Sequence, residues 1–343
     1  MATIKEIKDL ALSAARGTAP ANYTINDVNE TLREELNALA GSLNQFMKNR
    51  YDIYDIVVQA ADEITPKRVI DALPFAEFKV VGNNEKALFK KKVGKSRAKK
   101  FITQVGLSGV YETFRLDTET FEVPAYAIGG AATIDFERML DGAEDMMDCM
   151  NVLTEGMIDS IYREVQKALR AAINATGRPT ANKVTASSFN GEEMAKLCAT
   201  VSAYGSPVIF APPEFVAAMG ADAIVPVGTN YQGVYSPSDI EDIHNTGYIK
   251  IFRGTPVVQI PQSFVDDNNV ETWIDPQLAY VLPAGQEKVV KVVLQGGTQV
   301  YDFQNRDQSM EIHMYRKLGV AIYSHHNWGI YQNTGITSNY IDK

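Results

Sequence analysis

Apolar residues return at steps of three and four along one long stretch, Thr133 to Thr176: Met139, Ala143, Met146, Met150, Leu153, Met157, Ile161, Val165, Ala168 and Ala172. Held over that many repeats, this is the period of one helix face, and the spacing predicts a single helix over the whole segment. Its charges are sorted to match. Asp135, Glu137, Asp141, Glu144, Asp145 and Asp148 crowd the first half, while Arg163, Lys167 and Arg170 sit in the last turns, the order the helix dipole favours. At about 1.5 Å per residue such a helix is roughly 60 Å long. A compact chain of this size has a radius of gyration of about 20 Å, so the helix implies a flattened or elongated subunit. A shorter helix is predicted over Asn26–Arg50, where Leu32, Leu36, Leu39, Leu43 and Phe46 share a face and Asn26 or Asp27 supplies the cap. Before it lies a short polar arm.

Between these helices the pattern alternates instead. FAEFKVV (Phe75–Val81) reads as a strand, Gly82-Asn83-Asn84 as a turn, and YETFRLDTETFEVP (Tyr111–Pro124) as a return strand. Two strands flanking a long polar excursion predict an extended hairpin arm, which in a monomer has little to pack against. After Gly177-Arg178-Pro179 the elements become short and mixed. EEMAKLCATVSAY, PPEFVAAM and SPSDIEDIHN read as helices, the second opened by proline and the third capped by Ser236 or Ser238. SPVIF, GYIKIF, TPVVQIP, LAYVLPA, KVVKVVLQ, TQVYDF and the paired EIHMYRKLGVAIYSHHNWGIYQ read as strands. The fold class is therefore α+β rather than a regular βαβ repeat.

Charge adds a local exception to this picture. KALFKKKVGKSRAKKF, Lys86 to Phe101, holds eight Lys or Arg residues and no acid, in a 343-residue chain of formal net charge -9. Outside it, 25 basic residues face 42 acidic ones, a background of -17. An acidic total with pI near 5.1 argues against a protein whose main task is gripping nucleic-acid phosphates. Lys5, Glu6, Lys8 and Asp9 interrupt the N-terminal stretch where a secretory signal needs an apolar run, and nothing in the chain approaches a membrane span, so a soluble protein made in the cytosol is expected. Cys149 and Cys198 match no metal spacing and read as small apolar residues of a chain kept in a reducing compartment.

Chemistry finds no foothold in the motifs. There is no GxGxxG, GxxxxGK[ST], GxSxG or HExxH. His325 and His326 are neighbours on a predicted strand and point to opposite faces, so they do not chelate one ion together; His244 and His313 stand alone. Val265-Asp266-Asp267-Asn268-Asn269 clusters oxygens without the glycine of a calcium loop and reads as an inter-strand turn. Glu144 and Asp148 lie four apart on one helix face, but among six acids in that half-helix they read as a solvated or partner-facing surface. No catalytic residue, cofactor site or metal site is expected.

The order of parts resembles the major capsid proteins of tailed bacteriophages with the HK97-like fold. The likeness rests on an N-terminal arm, a long strand-flanked hairpin, one very long helix, and a mixed α+β unit returning through C-terminal strands. SDIEDIHNTGYIKIFRGTPVVQIP looks like the family's helix, strand and Gly-x-Pro strand, and LAYVLPA like its late A-domain strand. The resemblance implies an N-arm over 1–73, an E-loop over 74–126, a P-domain spine helix within 127–185, an A domain over 186–295, and return strands with the C-terminus over 296–343. It further implies self-assembly into hexamers and pentamers of an icosahedral shell around double-stranded DNA. Scaffolding, portal and decoration proteins would be partners, no membrane would be involved, and the subunit would pass from host cytoplasm to virion capsid. An encapsulin-like compartment for cargo protein is the alternative within the fold, and a cytosolic enzyme with an unfamiliar site is the alternative outside it.

On this reading the basic stretch becomes an arm extended over an adjacent subunit. Lys86, Lys90, Lys91, Lys92, Lys95, Arg97, Lys99 and Lys100 would meet Glu144, Asp145 and Asp148 of the neighbour's spine helix; a merely solvated lysine-rich loop is the competing expectation.

Overall fold

Two long C-terminal strands form the frame of the molecule. The computed structural model describes residues 3–16, 19, 23–39, 41–73, 75–91, 119–134, 146–175, 177–219, 250–262, 264–284, 288–305, 310–322 and 326–341. In it β10 (Val290–Gln304) and β11 (Met310–Ile322) pair antiparallel at the centre of a four-stranded sheet of order β1-β10-β11-β4, with β1 spanning Ala76–Val81 and β4 spanning Tyr126–Ile134. A second sheet of six strands has the order β5-β12-β9-β6-β8-β7, namely Lys183–Ala186, Gly329–Asn333, Leu278–Ala284, Ser206–Ala211, Thr255–Gln259 and Ile251–Phe252. Short strands β2 (Leu88–Lys91) and β3 (Glu119–Glu122) pair as the stem of a hairpin. The α+β class expected from sequence is the class observed.

KVVKVVLQ and TQVYDF, expected as two strands, are one continuous β10. Its register against β11 shifts between Gln295 and Gln299. Gly296 makes that shift possible: it sits at φ +74°, and a Cβ there would lie 2.1 Å from Oδ1 of Asn83. The expected partner of FAEFKVV is also corrected. Instead of pairing with the return strand of the hairpin, β1 runs parallel to β10, Ala76 opposite Val290 through Val81 opposite Gln295.

The long helix appears as α4, Met146–Ala171, ending in a 3₁₀ turn over Ala172–Asn174. Ile158, Ile161, Val165 and Leu169 on its apolar stripe are buried against Leu278, Tyr280, Val290, Val292 and Trp328, while Leu153 and Met157 meet Ile312 and Met314 of β11. The helix expectation fails at its start. Thr133 and Ile134 close strand β4, opposite Glu311 and Met310, because backbone pairing at a sheet edge outweighs a periodic pattern that begins five residues later, at Met139. Residues 135–145 lie outside the described residues. The C-terminus of the helix is held by Arg178, whose guanidinium donates to the Ala172 carbonyl at 2.9 Å and lies 4.1 Å above the Trp328 ring; burial lowers its pKa to about 10.

The N-terminal segment departs most from expectation. In place of a polar arm, α1 (Ile4–Arg16) is an amphipathic helix with Ile7 and Ala11 buried against α3. A reciprocal cap opens it: Thr3 N donates to Glu6 Oε2 at 2.8 Å and Glu6 N to Thr3 Oγ1 at 3.4 Å. The helix expected over Asn26–Arg50 is two helices, α2 (Ile25–Leu39) and α3 (Leu43–Ala72). Thr24 caps the first, not Asn26 or Asp27; Asp27 N donates to its Oγ1 and returns an acceptor to Thr24 N. Ser42 restarts the second by accepting from Gln45 N at 3.2 Å. Arg16 pairs with Glu63 at 3.0 Å, and Lys8 pairs with Asp55, so α1 is tied along α3.

The second sheet carries α5 (Gly191–Ser202) and α6 (Pro213–Met219) on the cluster of Met194, Leu197, Val201, Phe215, Ile209 and Tyr331. Both match the sequence reading. The helix expected over Ser236–Asn245 lies outside the described residues.

Candidate assembly surface

The four-stranded sheet has two unlike faces. Val290, Val292, Leu294, Ile312, Met314 and Leu318 point to the helices, and their alternate neighbours point away. One half of this outer face is covered by the chain's own hairpin stem. Phe89 is buried there with Val81, Ala87, Val123 and Val293, and stacks on Phe121 at 5.6 Å. Lys79 and Lys291 each place an ammonium 5.5 Å from the Phe89 ring centroid. The Lys291 side chain is only 4% exposed and is neutralised by Glu77 of β1. Gly319 lets the chain leave the stem across the sheet, since a Cβ there would come within 2.6 Å of the Pro124 carbonyl. The hairpin is thus anchored at its base by a ring, two cations and a glycine crossing.

The basic stretch begins inside that base. Lys86 is exposed and pairs with Glu122 of the return strand at 3.0 Å; Lys90 is exposed opposite Thr120, and Lys91 stands opposite Glu119 in the register. The stretch therefore opens within the hairpin stem. Lys92, Lys95, Arg97, Lys99 and Lys100 lie outside the described residues, as do Glu144 and Asp145. Asp148 lies in the first turn of the described part of α4. Among the described residues of one copy, the structure places Lys86 with Glu122.

Sequence reasoning missed Phe89, Glu122, Lys291 and Glu77. A signal for one of them was present: Lys291 stands inside the run Val289-Val290-Lys291-Val292-Val293, and a lysine in so apolar a strand needs a buried partner.

The other candidate chemistry resolves into structure. Asp266 accepts from Val270 N at 3.0 Å and Glu271 N at 2.8 Å, which lowers its pKa and makes 265–269 a turn closed by Asn269 at φ 57°. His326 packs edge-on to Tyr204 and gives its carbonyl to Asn182; His313 lies 3.2 Å from Glu311; His325 and His244 lie outside the described residues. Cys198 is buried, which pushes its thiol pKa up to about 11. Among the described residues no group of three or more His, Cys, Asp or Glu is placed to hold a metal, and no helix is long and apolar enough to cross a membrane. A groove of about 610 Å³ between α1, α2, α3 and α4 carries Glu30, Arg33, Arg68 and Glu155 on its walls, with Arg68 3.8 Å from Glu155.

Comparison with known proteins gives the geometry a context. A family model described as "SPbeta prophage-derived putative capsid protein YonB" matches residues 6–332. Among solved structures, the acid-stable capsid of Helicobacter pylori bacteriophage KHP30 is similar at 11% identity and TM-score 0.50, over 75% of this chain and 88% of that one. The head of H. pylori bacteriophage KHP40 is similar at 12% identity and TM-score 0.49, over 75% and 86%. The holo-SrpI encapsulin complex of Synechococcus elongatus is similar at 14% identity and TM-score 0.44, over 74% and 84%. A search of curated proteins by sequence finds no significant match.

Proposed function

The chain belongs to the family of SPbeta prophage-derived capsid proteins described by YonB and has the HK97-like capsid fold, and on that premise we propose that it is the major subunit of an icosahedral shell enclosing double-stranded DNA. The family match over residues 6–332 carries the reading. The form of the subunit supports it: a hairpin whose stem is fastened to the sheet at Phe89, with a basic stretch that starts in that stem, suits a piece that a neighbouring copy covers. In this reading 1–73 is the N-arm, 74–126 the E-loop, 127–185 the spine region, 186–295 the A domain and 296–343 the return strands. The role is structural, with no reaction assigned. Scaffolding, portal and decoration proteins are the partners, and the subunit moves from host cytoplasm into the virion.

Electron microscopy and sedimentation of the purified protein test the assembly. Closed shells or rings of five or six subunits are expected, and a stable monomer at every concentration, even with scaffold supplied, overturns the reading. Particles from phage-producing cells are expected to hold nuclease-resistant double-stranded DNA. Particles filled with another protein and free of nucleic acid make the chain a cargo compartment instead.

A further inference from the structure

We propose that the uncovered half of the outer sheet face, built on Tyr301, Phe303, His313 and Tyr315, is a docking surface for a second copy of this chain. The inference rests on the shell-forming role proposed above and names a surface that serves it.

Beyond the Gly296 shift, β10 and β11 continue as a ribbon with β4 on its edge. Val300, Ile312 and Met314 face the helices, so Gln299, Tyr301 and Phe303 on β10 and Glu311, His313 and Tyr315 on β11 face outward. The register sets them side by side: Gln299 opposite Tyr315, Tyr301 opposite His313, Phe303 opposite Glu311. On β4 the outward positions opposite Tyr315, His313 and Glu311 are Gly129, Ala131 and Thr133, all exposed and all small. The result is a flat strip of rings beside a bare shelf. Tyr301 is 49% and Phe303 57% exposed, large apolar surface to leave open on paired strands.

The rings are held in place. Tyr301 and Tyr315 stack at 5.7 Å and 19°, and both hydroxyls donate to Oε1 of Gln299, at 2.9 and 2.5 Å. Phe303 meets the His313 ring edge-on at 5.1 Å. Side chains fixed before contact lose little conformational freedom on binding, which is the property of an interface anchor rather than of stray surface rings.

Continuity decides the occupant. The covered and uncovered halves are one face of one sheet, and the covered half already shows what this chain places on it: its own hairpin stem, seated by Phe89 against two lysine ammoniums and stacked on Phe121. In a shell, every subunit lies against copies of itself, so the protein available at high local concentration to continue that cover is a second copy. An aromatic centre beside small residues that admit close backbone approach, with Glu311 and Lys317 at the two ends, has the apolar-core and polar-rim form of protein interfaces.

The test uses the full chain with a photo-reactive phenylalanine analogue at Tyr301, beside the double variant Tyr301→Ser/Phe303→Ser. In assembled particles, irradiation is expected to give a covalent dimer of this chain, with mass mapping locating the second peptide in another copy. The serine variant is expected to keep its circular dichroism and melting temperature yet lose at least tenfold in the fraction of subunits assembled. Wild-type shells together with no chain-to-chain adduct and unimpaired assembly of the variant overturn this proposal while leaving the capsid role standing. An adduct to nucleic acid or to a different protein also overturns it, assigning the face to that partner. If the wild type itself forms no particles, it is the capsid role that fails.

Discussion

Asp62 shows how much of this fold hangs on single polar side chains. It accepts from Thr298 N at 3.0 Å and Thr298 Oγ1 at 2.6 Å, and pairs at 3.0 Å with Arg316, whose side chain is 3% exposed. One carboxylate thus fastens α3 to both central strands within the register shift. Asp62→Ala should cost about 3 kcal/mol in chemical denaturation, because it strands a buried guanidinium, whereas Arg316→Met should cost less by removing the charge as well. Asp159 on α4 works in the opposite sense. Burial, and then the neighbouring Glu155 carboxylate, raise its pKa, so the folded chain holds this proton more tightly than the unfolded chain does. Stability therefore falls as pH rises from the ordinary carboxylate range through the raised folded value, and stays reduced above it. Asp159→Asn should stabilise by about 0.5 kcal/mol at pH 7, kept small because the group is half in water, and the gain should vanish by about pH 3 in melts across that range.

At the level of elements, the hairpin stem depends on one ring. Phe89 joins the stem to β1 and β10 and supplies the surface that Lys79 and Lys291 lie on. Phe89→Ala should cost about 3 kcal/mol if stem and sheet open together. If the stem opens alone, hydrogen exchange at 88–91 and 119–122 should rise while the exchange of β10 and β11 stays near wild type. The N-terminal helices show which signals at this scale are local. Thr3 and Glu6 stand three apart ahead of an apolar face at Ile7, Leu10 and Ala11, a capping pattern visible in the sequence, so α1 is legible without the tertiary structure. The break between α2 and α3 was equally marked by Gly41-Ser42, but the run of leucines across it hid the change of face.

For the whole molecule, the question is what the basic arm does once many copies meet. Each exposed charge pair contributes only about 0 to 1 kcal/mol, yet pairs repeated at every contact of a shell act together. Changing Lys90, Lys91 and Lys92 together to Glu should leave the subunit folded and reduce its assembly, and raised salt should weaken the wild type in the same direction. Light scattering and micrographs across a salt series check this. Normal shells from the triple variant would make the stretch a solvated loop, with Lys86 serving Glu122 in its own chain.

What the sequence determined by itself was whatever a single element's neighbours dictate. The apolar stripe of α4, the proline that opens α6, the strand Leu278–Ala284 and the turn at Asp266 follow from side-chain period and local hydrogen bonding, and each stands where the pattern put it. The tertiary structure decided which strand pairs with which. Ala76 meets Val290 across more than two hundred residues, and backbone donors and acceptors are alike in every strand, so only the packing of whole faces selects the partner. The same reason hid the aromatic strip. Tyr301 and Tyr315 lie on two strands, and they become one surface only when Gly296 resets the register and the helices claim the opposite face.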